Sequence, residues 1–298
     1  MIRTTAGWRL CRAAALVLAA CGLAGPAGAA GSESGDCRQG PARSETLDGI
    51  GLRGEIRLGS GARAVLDSLR WPDAPDAAEA ARAWLDARRG AELTVTPRGR
   101  PDRWGRERAD IQVADGRVAD GRVVDGQAAD GQAADGDIDL AGGLIGAGLA
   151  VADANERDGL CRPALRAVEA GARDSKRGLW RDPVLQAADG PALRALAGRF
   201  AVVEGRIGHV GERSARTYLD FVARGADGLT VMVPKRTWRM MRARGLSAAS
   251  LEGRRVRVRG ILEVWRGPTL EATADAIEVL GEPDRREAEP VGERELRR

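Results

Sequence analysis

Six consecutive residues, Pro101-Asp102-Arg103-Trp104-Gly105-Arg106, combine side chains suited to handling phosphate. Gly105 can make a backbone turn that other residues resist, and such a turn aims the side chain after it. That side chain is Arg106, a planar fork of five donors that matches phosphate oxygens. A second set of cations lies in the C-terminal half. Arg255, Arg257 and Arg259 alternate with Val256 and Val258. On a strand, the valines would face a core and the three arginines would line one outer face. Lys235 and Arg236, with Arg239, Arg242 and Arg244, add another basic cluster. Tyr218, Phe221, Trp238 and Trp265 are candidate stacking platforms of the kind used on single-stranded nucleic acid. In the plainer reading, these arginines are a solvated sheet face and these aromatics are core.

The elements that must hold these residues follow from periodicity. A chain of 298 residues has room for two small domains. In the first, from Cys37 to Asp189, strands are expected at Glu55–Leu58 and Arg63–Leu66 around a Gly-Ser-Gly turn. Others are expected at Glu92–Thr96 and Arg108–Val113. Asp76–Arg89 reads as a helix capped by Asp76, with Ala77, Ala80, Ala81, Trp84 and Leu85 as its apolar stripe. Leu140–Val151 has weaker helical spacing, diluted by glycines. Leu160–Arg177 is a firmer helix stopped by Gly178, with Trp180 packing on the barrel. After a linker, 199–280 carries strands at Phe200–Ile207, Thr217–Val222, Leu229–Val233, Arg254–Ile261 and Ala276–Leu280. Short helices at Thr237–Arg244 and Ser247–Leu251 fall between the third and fourth strands, which is OB-fold order. The expected fold class is mainly β with α: an OB-type barrel with helices, then a second OB-fold-like barrel.

Val113–Asp137 repeats a five-residue unit, VADGR, VADGR, VVDGQ, AADGQ, AADGD. Calcium-binding repeats use a nine-residue pattern, and a β-helix would need a bulky apolar residue where glycine stands. A carboxylate-rich calcium sponge is one reading. A duplicated Asp-Gly turn, lengthening a surface loop, is the preferred one. The charged tail, 281–298, reads as disordered.

The Trp104-Gly105-Arg106 triplet and the closing Lys176-Arg177-Gly178-Leu179-Trp180 resemble the thermonuclease (staphylococcal nuclease-like) family. Residues 199–280 look like the extra OB-type domain appended to some exported members in proteobacteria. The resemblance implies a barrel that hydrolyses phosphodiesters with calcium, held by aspartates, a carboxylate base and two arginines. Arg106 matches the second family arginine. The base falls at Asp73, one methylene shorter than the family's glutamate. The first calcium ligand falls near Glu55, and Asp67 is a substitute ligand if the register slips. Two positions depart: Val65 stands where the family has an arginine, and Arg70 where it has a ligand aspartate, and a cation there repels a metal. The resemblance therefore points to a degenerate barrel that binds DNA, RNA or another polyanion. Its alternatives are a calcium-dependent nuclease with a rearranged site, and an envelope lipoprotein making protein contacts only.

The N-terminus, 1–30, reads as a signal peptide: Arg3, Arg9 and Arg12 precede the short apolar run Ala13–Ala20. Leu18-Ala19-Ala20-Cys21 resembles a lipobox, which would give Cys21 a membrane lipid anchor. Ala27-Gly28-Ala29 offers ordinary cleavage instead. Either places the protein in the bacterial envelope, periplasmic or membrane-anchored. In that oxidising compartment Cys37 and Cys161 are expected to form a disulfide, worth roughly 4–5 kcal/mol in the chain-entropy model. With His209 the only histidine, zinc is not expected. The net charge of +4 is compatible with a polyanionic ligand.

Overall fold

Alternating burial builds the first half. In β1 (Arg43–Ile50), β2 (Ile56–Leu58) and β3 (Arg63–Leu66), Leu47, Ile56, Leu58, Ala64 and Leu66 point inward. β4 (Leu69–Arg70) leads into helix α1 (Pro75–Asp86), and β5 (Glu92–Pro97) and β6 (Glu107–Val113) follow. β1 pairs with β2 and β5, β2 with β3, and β5 with β6, all antiparallel. A parallel pairing of β3 with β6 closes a five-strand barrel of OB-like type. The computed structural model describes residues 37–113, 138–155, 157 and 159–281. The repeat, the signal-peptide reading, Cys21 and nearly all of the charged tail lie outside the described residues.

The barrel interior is apolar, with Leu93, Val95, Ala109 and Ile111 fully buried. α1 covers one end through Ala81 and Leu85; Pro75 opens it and Ala74 is its N-cap, so Asp76 does not cap it. β7 (Ile138–Asp139) returns the chain to β6, and Asp139 caps α2 (Leu140–Gly146) by accepting from Gly142 N at 3.0 Å. β8 (Val151–Ala152) pairs with β4, and α3 (Leu165–Asp174) packs on α2. Gly148 and Gly178, both at positive φ, touch backbone to backbone. A Cβ on Gly178 would lie 2.2 Å from Gly148 O, so Gly178 serves this close contact, while α3 already ends at Asp174 with Ser175 as its C-cap.

The second half is a larger sheet. Its strands are β9 (Leu185–Gln186), β10 (Phe200–Arg206), β11 (His209–Glu212), β12 (Arg216–Asp220), β13 (Thr230–Pro234), β14 (Arg255–Val264), β15 (Pro268–Glu271) and β16 (Ile277–Val279). The order runs β11-β12-β13-β15-β14-β10-β9, with β16 also on β14. β10, next to the β9 end, and β11, at the other end, are separated in sequence only by Ile207 and Gly208. α4 (Gly190–Ala195) packs on β14 and β15. α5 (Lys235–Ala243) and α6 (Ala248–Leu251) fall between β13 and β14, with Ser247 and Ser250 forming a capping box on α6. The described fold is thus mixed α and β, with more strand than helix and one closed barrel.

A third apolar cluster joins the halves. Val151, Ala172 and Trp180 pack with Val184, Phe200 and Val202, so Trp180 sits at the junction with β10. Cys37 and Cys161 form a disulfide across 124 residues, with Cα atoms 5.2 Å apart. The bridge pins the segment before β1 to the loop before α3. Its reduction is expected to lower unfolding stability by about 2–4 kcal/mol, typical of native bridges, read as a shifted denaturant midpoint with and without reductant.

Candidate functional site

A cleft of about 1140 Å³ opens between the barrel and the second sheet. Its barrel wall is the Trp104-Gly105-Arg106 turn and the start of β6. Gly105 has φ of 73°, as the turn requires. Asp102 organises this turn by accepting from Trp104 N at 2.9 Å, Arg106 N at 3.0 Å and Arg106 Nε at 2.8 Å. Partial burial opposes ionisation of Asp102, but these bonds outweigh it and hold its carboxyl below the usual range. Arg63 donates to Trp104 O and ties the turn to β3. Trp104 is 54% exposed, with Arg103 and Arg106 over its ring at 4.1 and 4.8 Å.

Arg108 belongs to the same wall, and sequence reasoning missed it. Ala109, Ile111 and Val113 point into the barrel, so Arg108 leaves on the other face, where it lines the cleft together with Arg106 from the turn. Val65 and Arg108 are register partners in the parallel pairing of β3 with β6. Arg108 therefore projects beside the position where the resemblance asks for an arginine on β3. The signal was in the sequence: Arg108 alternates with the apolar Ala109 and Ile111, which puts it on the outer face of the strand.

The carboxylates proposed as metal ligands and base are each engaged elsewhere. Glu55 lies 3.7 Å from Arg63 and 4.0 Å from Arg106. Asp67 is 1% exposed, accepts from the Ser68 hydroxyl at 2.7 Å and pairs with Arg157. Asp73 accepts from Phe200 N at 3.0 Å and stands 3.6 Å from Arg70. Among the described residues, no three of His, Cys, Asp or Glu gather to hold a metal ion. Calcium needs several converging oxygens, and carboxylates already matched to guanidinium groups do not fit it.

The expected outer face of arginines is corrected by the fold. Arg255 is exposed and pairs with Glu204 at 2.8 Å, but Arg257 and Arg259 are 5% and 1% exposed. Arg257 is held by Glu204 at 2.6 Å and Glu278 at 2.9 Å. Arg259 reaches Glu169 on α3 and Ala152 O, each at 2.9 Å. The first half covers this face of β14, so its arginines meet carboxylates rather than water. Lys235 and Arg236 lie apart from them on α5, which packs on β12 and β13; Lys235 donates to Arg213 O at 3.0 Å. Of the proposed stacking aromatics, Trp238 is core and Trp265 is 72% exposed.

The floor of the cleft was not anticipated. It holds Arg70, Asp153, Asn155 and Arg259. Asp153 is almost buried, with its backbone N on Ser68 O at 3.2 Å and Asn155 N on its Oδ2 at 3.0 Å. Burial raises its pKa despite the opposing pull of Arg259, Arg166 and Arg70. Above that raised pKa the folded state holds a poorly solvated carboxylate, so the stability this group costs returns as pH falls through it. Asp153→Asn is expected to raise the melting temperature at neutral pH and to lose that advantage in acid. Thermal unfolding across a pH series measures it.

No family model matches the chain, and no curated protein matches it.

Proposed function

We propose that this chain is an exported, thermonuclease-like protein that binds a nucleic acid or similar polyanion along the arginine wall of its cleft, without catalysis. The observation that carries the reading is that Arg106, at the turn before β6, and Arg108, on β6, both line the cleft beside the exposed ring of Trp104. Two guanidinium groups suit backbone phosphates and the ring suits a base. The closed barrel and the Trp-Gly-Arg turn at its rim support the thermonuclease-like assignment. The commitment of Glu55, Asp67 and Asp73 to cations supports binding over hydrolysis.

We read the second half as another OB-type barrel, because its helices α5 and α6 fall between β13 and β14, and β11, at one end of the sheet, follows in the chain directly after β10, which lies next to the other end. Export is supported by the disulfide, and no helix among the described residues is long and apolar enough to cross a membrane.

Hydrolysis of fluorogenic DNA and RNA, in calcium and in chelator, tests the reading. The expected result is no calcium-dependent cleavage above that of an Arg106→Ala control. Calcium-dependent turnover that disappears in Arg106→Ala would establish a rearranged nuclease site instead.

A further inference from the structure

At and beneath the floor of the cleft lie three arginines, one of which has a buried donor left unsatisfied. Arg166 on α3 is largely enclosed, and it donates to two carbonyl oxygens, Ala152 O and Asp275 O, each at 2.9 Å. Burial, and next the neighbouring charge of Arg259, push its pKa down to about 10. Arg259 gives its Nη1 to Ala152 O and Glu169, while its buried Nη2 has no hydrogen-bond acceptor. The nearest carboxylate oxygen to that nitrogen, Glu278 Oε2, is 3.7 Å away. Arg70 on β4 stacks over Phe200 at 5.1 Å, and its weak contact with Asp73 is 3.6 Å long. Asp153 is the carboxylate that sits among these three arginines.

We propose that this floor is a site for a small tetrahedral oxyanion, a phosphoryl or sulfate group. Arg70 contacts the anion, Arg259 supplies charge from beneath, and Asp153 is the resident counter-ion that the anion replaces. Two anions cannot share so enclosed a position, so Asp153 takes up one proton from solvent as the ligand binds. The other charges facing Asp153 are fixed by their own partners. Glu169 is held by Arg259, Asp67 and Arg157 hold each other, and Asp275 is held by Arg244.

The site lies below the arginine wall and stands whether or not that wall binds a polymer. Failure of an oligonucleotide to bind leaves it untouched, and its own failure leaves the wall untouched.

Calorimetry with inorganic sulfate tests it, because sulfate keeps its charge over the range used. Sulfate is expected to bind the mature protein about tenfold or more tightly near pH 5 than near pH 8, taking up roughly one proton at the upper pH. Asp153→Asn is expected to bind equally at both pH values. Arg70→Gln, which leaves the buried Glu169–Arg259 pair intact, is expected to bind at neither. Absence of sulfate binding near pH 5 would overturn the proposal, as would a pH dependence that survives in Asp153→Asn. Unchanged affinity in Arg70→Gln would overturn it too.

Discussion

Glu169→Ala is expected to destabilise the protein by about 3–5 kcal/mol, the largest loss for any single substitution argued from this structure. Glu169 and Arg259 are each 1% exposed and meet at 2.9 Å. Neither charge has water to fall back on, so removing one leaves the other buried and unmatched. The loss also spreads. Glu169 Oε2 accepts from Ala152 N at 2.7 Å, and Arg259 donates to Ala152 O. The pair therefore clamps β8 from both sides and ties the barrel's last helix to β14. Two further variants separate the pair from simple loss of packing. Glu169→Gln keeps an acceptor and is expected to cost less. Glu169→Met combined with Arg259→Met removes both charges, and is expected to recover much of the loss. Denaturant midpoints of the three variants measure this. A double variant as unstable as Glu169→Ala would contradict the electrostatic account.

The combined change Arg106→Ala and Arg108→Ala is expected to weaken binding of a short single-stranded oligonucleotide by roughly 3–6 kcal/mol, at least about 100-fold. This assumes about 1.5–3 kcal/mol for each charged hydrogen bond. Stability should change little, because the Arg108 side chain makes no hydrogen bond or ion pair among the described residues, and Arg106 makes its pair with Asp102 at the part-exposed rim. Arg108→Ala alone is the sharper test. The family resemblance gives it no role, whereas the register of β3 on β6 sets it beside the position where that resemblance asks for an arginine. Arg255→Ala is expected to have little effect on binding, since that side chain is matched to Glu204 away from the wall.

What could be read from the sequence was local. β3 was bounded correctly because Arg63-Ala64-Val65-Leu66 alternates cleanly between turns, and β6 was placed to within one residue, starting at Glu107 rather than Arg108, because Ala109, Ile111 and Val113 alternate with polar residues. The turn at Gly105 was legible because only glycine takes its φ comfortably. β1 was missed because its first half, Arg43-Ser44-Glu45-Thr46, is polar and its apolar pattern starts only at Leu47. β11 and β15 were missed because each has four residues, one containing a glycine and the other opening on proline. The site was harder, since its charges find partners far along the chain. Arg259 meets Glu169 at a separation of 90 residues, and Asp67 meets Arg157 at the same separation. Alternation correctly put Arg257 and Arg259 on one face of β14. Nothing in that alternation says that another layer covers the face.

The most direct test of the central claim is the affinity of the mature protein for a short single-stranded oligonucleotide as salt is raised, in calcium and in chelator. Binding is expected to be equal in both conditions, with the logarithm of the affinity falling linearly with the logarithm of salt concentration. The slope should become shallower by about 0.7 for each of Arg106 and Arg108 replaced. No binding at low salt, or binding that requires calcium, would contradict it.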